Sequence, residues 1–460
     1  MTHQHSNLRA EFRPMLNMAV PLVLAELGWM AMGVVDTIMV GRLPHSAEAI
    51  GAVGLGGILF FSVAIFGIGL LLGLDTLVSQ AFGAGDVADC HHSLTNGVYM
   101  ALGLSPVLIG IILVIVPYLG RFGVHPDVLA YAVPYLKTLN WSLPPLLLYN
   151  TFRRYLQGMN LVRPVTFVLI SANLVNLAGN YAFVFGHFGA PAYGVVGSAW
   201  STTVARIYMA VFLLGYILYY DWRHKTKLPL VVMKPDPDRI GRLFRLGLPA
   251  ATQIGMEVAV FATAAAFISK LGPLVLAAHQ IALNAASVTY MVPLGISSAA
   301  AVRVGQALGR KDPAAAADSG WAALILGSAF MLCAAIAFVL FPRYIVLTFS
   351  REQALITVGT RLLLVAAVFQ LFDGLQAVAT GALRGAGNTR TPMICSTLAY
   401  WVLGLPFGYL LCFRLQWGAP GMWTGLCLGL VLMGSVLLLV WQRTTRQWRE
   451  QSAANLAAAR

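Results

Sequence analysis

The sequence predicts an all-α, polytopic membrane protein of twelve transmembrane helices arranged as two repeated six-helix bundles, and three observations predict it. Of its 460 residues 58% are hydrophobic and only 10% are charged, with a mean hydropathy of +0.76, whereas a water-soluble domain carries about 25% charged residues. The apolar residues come in continuous runs, such as 98–116 and 426–441. Barrel strands alternate apolar and polar residues, so these runs select helices. Finally, the chain repeats itself at a spacing of roughly half its length.

The spans follow in order. The first begins near Met15, after Arg9 and Arg13. It is long, contains Glu26 and Asp36 and lacks a cleavage site, so it is read as a retained span rather than a secretory leader. Apolar runs of membrane-spanning length then begin near Ile50, Ser93, Asp127, Arg163 and Tyr193, which completes the first bundle. The second bundle has spans beginning near Phe244, Leu274, Ala317, Gln353, Thr391 and Gly418. Organisation is therefore expected as bundle 1–220, a basic linker 221–243, bundle 244–443 and a tail 444–460. The linker region, 221–245, holds seven Lys or Arg residues together with Pro229, Pro235 and Pro237.

The net charge of +13 resembles a nucleic-acid signal until its positions are read. Twenty-one Lys and Arg residues fall on the side of the termini and six on the other: Arg42, Arg121, Lys270, Arg343, Arg351 and Arg414. That asymmetry predicts both termini in the cytoplasm and explains the charge without a nucleic-acid partner. The five cysteines (Cys90, Cys333, Cys395, Cys412 and Cys427) form no CxxC and read as small buried side chains.

The internal repeat is the most informative feature. Segment SQAFGAGD at Ser79 recurs as GQALGRKD at Gly305, and LQGMNLVRP at Leu156 recurs as LRGAGNTRTP at Leu383. Pro21 matches Pro249, and GVVG at Gly194 matches GAPG at Gly418. Six spans per repeat give both copies the same orientation, so the pseudo-twofold axis is expected along the membrane normal, with substrate binding between the bundles.

A carboxylate in hydrocarbon costs about 2.5 to 3.5 kcal/mol even on the lenient insertion scale, so each one needs a reason. Asp36 in VVDTIMVGRL, Glu257 in QIGMEVAVF and Asp373 in FQLFDGLQAV all lie well inside apolar runs. Projected through the repeat, they align with Ala264, Trp29 and Leu146, so the scaffold repeats while the charges do not. One bundle is expected to carry a lone Asp and the other a Glu/Asp pair. Asn176 and Asn180 share a helix face that is expected to meet Asp36. Gln280 and Asn284 do the same on the eighth span, followed by Ser287. Gln253, Glu257 and Phe261 form one stripe on the seventh span, with Phe369 one turn before Asp373 on the tenth. Helix-to-helix hydrogen bonding is the bland explanation of the amides, worth about 1 kcal/mol each.

Other charges read as structural. Glu26, Asp75, Lys137, Arg206 and Arg361 are expected to snorkel or pair, and His279 to be hydrogen-bonded within its bundle. The run Asp86, Asp89, Cys90, His91, His92 reads as a solvated loop rather than a metal site. No Walker A, HExxH or GxSxG motif occurs, the near miss being GISSA at Gly295, so neither an enzyme nor direct ATP drive is expected, and no cofactor is implied.

Twelve spans in two repeats, VVDTIMVGRL, AAHQIALN (277–284) and LRGAGNTRTP together closely resemble the multidrug and toxic compound extrusion (MATE) family, in its NorM-like branch. The resemblance covers nearly the whole chain. It implies a pair of six-helix bundles in the bacterial inner membrane that exports small cationic drugs or dyes in exchange for H+ or Na+. It places the family's first-, seventh- and tenth-span acids on Asp36, Glu257 and Asp373, and its fifth-span amides on Asn176 and Asn180. Gln253, Phe261, Gln280, Asn284 and Phe369 are then the expected substrate-binding residues. Some sodium-linked members have a tyrosine where this chain has Phe369, which offers no oxygen and tilts the expectation toward protons. A monomer in the lipid bilayer is expected. The rivals are a lipid-linked oligosaccharide flippase, whose diphosphate cargo calls for a cationic cavity, and a passive cation channel, which never concentrates its cargo.

Overall fold

A computed structural model of the chain describes residues 8–122, 125–226 and 234–458. Part of the basic linker, 227–233, lies outside the described residues. Within them all regular structure is helical. The helices are α1 (Leu8–Val40), α2 (Ser46–Leu71), α3 (Gly73–Gly83), α4 (Val87–Ile115), α5 (Pro126–Asn140), α6 (Leu143–Gly158), α7 (Val162–Phe185) and α8 (Val195–His224). They continue as α9 (Pro237–Ser269), α10 (Pro273–Gly309), α11 (Pro313–Leu340), α12 (Pro342–Leu347), α13 (Gln353–Gly385), α14 (Arg390–Ser396), α15 (Leu405–Tyr409) and α16 (Ala419–Ala458).

Eleven helical stretches among the described residues are long and apolar enough to cross a membrane. The fourth of the twelve expected spans is the exception, because it is made in two pieces, α5 and α6. Its break at Trp141–Ser142 has a local cause. Pro144 and Pro145 fall in the first turn of α6, where proline is tolerated, and having no N–H they cannot donate to the carbonyls of Asn140 and Trp141, so the ladder of α5 stops there. Ser142 closes the end of α5 by donating its N–H to Leu139 O at 2.9 Å and its hydroxyl to the same oxygen at 2.6 Å. The eleventh span is also irregular: α14 and α15 are joined and followed by π-helical segments, Thr397–Gly404 and Leu410–Arg414. Such segments widen the helix and are frequent at functional positions.

The repeat is written in the backbone as well as the sequence. Residues with positive φ recur at the repeat spacing: Gly85 (78°) with Lys311 (59°), Asn160 (63°) with Gly387 (82°), and Gly194 (57°) with Gly418 (64°). The first pair sits in the matching GAGD and GRKD turns, where the aspartate then caps the next helix. Asp86 accepts Asp89 N–H, and Asp312 accepts Ala315 N–H, both at 2.9 Å. One backbone turn is thus used twice, with glycine in one copy and a strained lysine in the other.

The chain divides into two compact units, one of residues Leu24–Ala251 and the other of Thr252–Arg460 together with the start of α1 up to Val23. Each has its own buried apolar interior. The first unit also buries charge. Glu26 pairs with Arg153, and Arg154 Nη1 lies 3.3 Å from Asp75 Oδ2, with all four side chains almost fully enclosed. Glu26 and Asp75 are thus paired, as the sequence suggests, and their partners Arg153 and Arg154 are buried within α6. Asp89 pairs with Arg239 and His92 Nε2 lies 3.3 Å from Asp236 Oδ2, so the acidic and histidine run is tied to the start of α9. Arg206 is buried over the rings of Phe60 and Trp29 and donates to the Ser142 hydroxyl.

Candidate functional site

In the first unit the functional side chains come from α1, α7 and α8. Asp36 is placed by α1, and Asn176 and Asn180, one turn apart on α7, point at it together because residues four apart share a helix face. Asn176 Nδ2 donates to Asp36 Oδ1 at 3.0 Å and Asn180 Nδ2 to the same oxygen at 2.7 Å. The second oxygen, Oδ2, accepts from Thr202 Oγ1 of α8 at 2.7 Å. Ser201 braces the arrangement by donating to Asn176 O at 2.6 Å. This needs α7 and α8 to approach closely, and Gly179 permits it: a Cβ there would stand 2.7 Å from Ser201 Oγ. Asp36, Asn176 and Asn180 are all buried. Sequence reasoning found these three and missed Thr202 and Ser201.

The Asp36 carboxylate accepts three hydrogen bonds, so dipoles offset most of its charge, and the buried Arg206 guanidinium adds a weaker attraction without forming an ion pair. One polar atom stays unused, since Asn180 Oδ1 is buried and receives no donor. It is a buried acceptor close to the Asp36 carboxylate, since the Nδ2 of the same amide donates to Asp36 Oδ1.

The second unit holds the acid pair. Glu257 on α9 accepts from Gln253 Nε2 at 3.0 Å, and Gln253 also reaches Thr380 Oγ1 of α13 at 3.5 Å. Asp373 on α13 accepts from Gln376 Nε2 at 3.3 Å. The charge of Glu257 acts on Asp373, and Tyr400 of the π-helical segment is buried against Phe261, one turn from Glu257. Apolar rings enclose the pair. Phe261 meets Phe369 edge to face at 6.0 Å and Tyr400 at 6.3 Å, and Phe369 meets Trp423 of α16 at 5.6 Å. Trp423 Nε1 donates to His279 Nδ1 at 3.0 Å, so His279 is hydrogen-bonded inside its bundle, as expected.

Gln253, Phe261 and Phe369 therefore gather with the two acids. Gln280 and Asn284 do not. Both are exposed on one face of α10, and neither is hydrogen-bonded to Glu257 or Asp373 among the described residues. Tyr400 and Trp423 were missed, because an aromatic residue in an apolar run carries no sign of which neighbour it will face.

Among the described residues, none of Asp36, Glu257 and Asp373 is ion-paired to a lysine or arginine. Twelve spans in two repeats, with acids kept in the spans and not ion-paired among the described residues, define a membrane transporter. Comparison with known proteins agrees. The MatE family model matches residues 21–182 and 249–410, once in each repeat. Multidrug resistance protein MdtK of Edwardsiella ictaluri is 32% identical over 454 residues, covering 96% of this chain and 98% of its own. A probable multidrug resistance protein NorM of Rhizobium meliloti is 34% identical over 452 residues, covering 97% and 96%. Among solved structures, the eukaryotic MATE transporter AtDTX14 has a TM-score of 0.83 at 22% identity, over 96% of this chain and 99% of that one. A MATE protein in its straight conformation reaches 0.85 at 18% identity, over 98% and 100%. The chain belongs to the MATE family.

Proposed function

We propose that this protein is a multidrug efflux antiporter of the bacterial inner membrane, exporting organic, often aromatic cations in exchange for H+ or Na+. The observation that carries this reading is that, among the described residues, none of the three membrane-embedded acids is ion-paired to a lysine or arginine, which leaves each to be neutralised by something that comes and goes.

Asp36 is the coupling-ion site of the first unit. Its carboxylate, the Thr202 hydroxyl and Asn180 Oδ1 are all oxygen donors, the set that hard cations such as Na+ prefer. The same set suits a proton, because a protonated Asp36 needs an acceptor for its new O–H and the undonated Asn180 Oδ1 supplies one. In the second unit Glu257 and Asp373 attract a cation while ionised, and the partly exposed ring of Phe261, backed by the buried Phe369 and Tyr400, offers a face to an aromatic or quaternary body. Occupation of the acids by proton or Na+ removes that attraction and releases the cargo. Mutually exclusive occupancy, combined with alternating access, yields antiport. Phe369 brings no oxygen to the second site, which favours the proton there. The chain acts as a monomer with both termini in the cytoplasm.

The test is ethidium transport in vesicles under separately imposed Na+ and H+ gradients. An antiporter concentrates the dye against its gradient when one ion gradient is imposed and stops when that gradient collapses. A passive channel only equilibrates the dye. A flippase for diphosphate-linked lipids leaves it unmoved.

A further inference from the structure

In the second unit, the start of α1, the first turns of α11 and the far part of α16 meet around a cavity of about 530 Å³. Its polar wall is Asp318 and Trp321 from α11 with Thr445, Arg446 and Arg449 from α16. The level of this cavity follows from helix length. Forty residues make α16 about 60 Å long, twice the hydrocarbon thickness of a bilayer. Its apolar part ends at Trp441. Residues 442–449, the beginning of α11 and the beginning of α1 thus stand together at one membrane face, and Trp321 occupies the headgroup level where tryptophan is enriched.

The charges in the cavity are layered. Asp318 is only 4% exposed, and its one charged partner among the described residues is Arg449 Nη2, at a loose 3.9 Å. The neighbouring acid, Glu11, is already engaged by Arg303 and Ser319. The Arg449 side chain is 60% exposed, and Arg446 is exposed on the same helix face, where Glu450 Oε1 accepts its Nε–H at 2.8 Å. A negative group therefore lies inside and two guanidinium groups lie at the rim. A simple anion that reached the interior would meet Asp318, and a simple cation would have to pass the arginines. A zwitterion carrying an ammonium at its tip and a phosphate behind it satisfies both layers.

We propose that this cavity binds the headgroup of a phosphatidylethanolamine-type lipid, with its ammonium on Asp318 and its phosphate between Arg446 and Arg449. Membrane-embedded proteins bind lipid headgroups in basic pockets between helices at this level. The buried acid selects the zwitterionic headgroup over an anionic one. The site is separate from the acids of the transport reading, so either assignment survives failure of the other.

Native mass spectrometry of the full-length protein, extracted mildly from bilayers of phosphatidylethanolamine and phosphatidylglycerol in equal amounts, tests the site. The wild type is expected to retain one phosphatidylethanolamine, preferred about tenfold over phosphatidylglycerol, as loss of one hydrogen bond to a charged group implies. Asp318→Asn is expected to abolish the preference while still retaining lipid, and the double change Arg446→Gln with Arg449→Gln to lose retention of both lipids. Equal retention of the two lipids by the wild type overturns the proposal, and that measurement decides the matter even if the variants fail to accumulate. A preference unchanged in Asp318→Asn also overturns it. Soluble phosphoethanolamine supplies the other arm: if it raises the melting temperature of the detergent-solubilised protein as much as the lipid does, the ligand is a free metabolite and the lipid assignment falls.

Discussion

Replacing Asp36 by asparagine separates what this side chain does for the fold from what it does for transport. Volume is kept and charge is removed. In the wild type, donors from Asn176, Asn180 and Thr202 converge on the carboxylate at 3.0, 2.7 and 2.7 Å. An amide offers one acceptor oxygen where the carboxylate offers two, so one of the three bonds is lost, and the Thr202 hydroxyl is free to turn and accept from the new amide. The cost to folding is then about 1 to 3 kcal/mol. The cost to ion binding is larger: a unit cation about 4 Å from the carboxylate gains about 4 kcal/mol at an effective dielectric of 20, roughly a thousandfold in affinity. Asp36→Asn should therefore reach the membrane in near-normal amount, melt only slightly lower, and export ethidium no faster than cells lacking the protein. Efflux within a few-fold of wild type, at matched membrane abundance, would refute the role assigned to this carboxylate. Loss of efflux accompanied by loss of the protein from the membrane would show instead that Asp36 serves the fold.

Other perturbations separate the remaining parts of the account. Thr202→Val removes one of the three donors to Asp36 and keeps the charge, so it should raise the coupling-ion concentration for half-maximal efflux about tenfold with the maximal rate preserved. Glu26→Gln leaves Arg153 buried without its partner and should destabilise the first unit by about 3 to 5 kcal/mol in a thermal melt, and the added change Arg153→Met should recover much of that loss. Gly381→Ala places a Cβ 2.2 Å from Ser297 O, forcing α10 and α13 apart, and should lower the melting temperature by the equivalent of about 1 to 3 kcal/mol or more. Phe369→Tyr adds a hydroxyl one turn from Asp373 and should increase the response of efflux to an imposed Na+ gradient relative to an H+ gradient, read in vesicles. An unchanged ratio would show that the missing oxygen does not set ion choice.

The parts of this molecule that could be read in advance are those where a residue type conflicts with its surroundings. An acid inside an apolar run has few structural excuses, so Asp36, Glu257 and Asp373 stood out. Amides four residues apart declare a shared face, and Asn176 and Asn180 do meet Asp36 on one face of α7. The same signal placed Gln280 and Asn284 on one face of α10, but periodicity states which residues share a face without stating what that face meets, and theirs is exposed. Thr202 and Ser201 were invisible for another reason: hydroxyls are common in membrane helices because they bond their own backbone, so they carry no signal of a site. Arg153 and Arg154 lie near the end of an apolar run with no sequence sign of their partners, and only the fold reveals that they pair with Glu26 and Asp75.

Competition between cargo and coupling ion is the centre of the proposed mechanism, and equilibrium binding tests it without the complications of transport. Ethidium binding to the purified protein, followed by fluorescence while pH and Na+ are varied in turn, should weaken as proton or Na+ concentration rises. By linkage, ethidium should displace the same ion in return, and Asp36→Asn combined with Glu257→Gln and Asp373→Asn should abolish that dependence. Ethidium affinity in the wild type that is indifferent to both pH across the neutral range and Na+ would contradict the account.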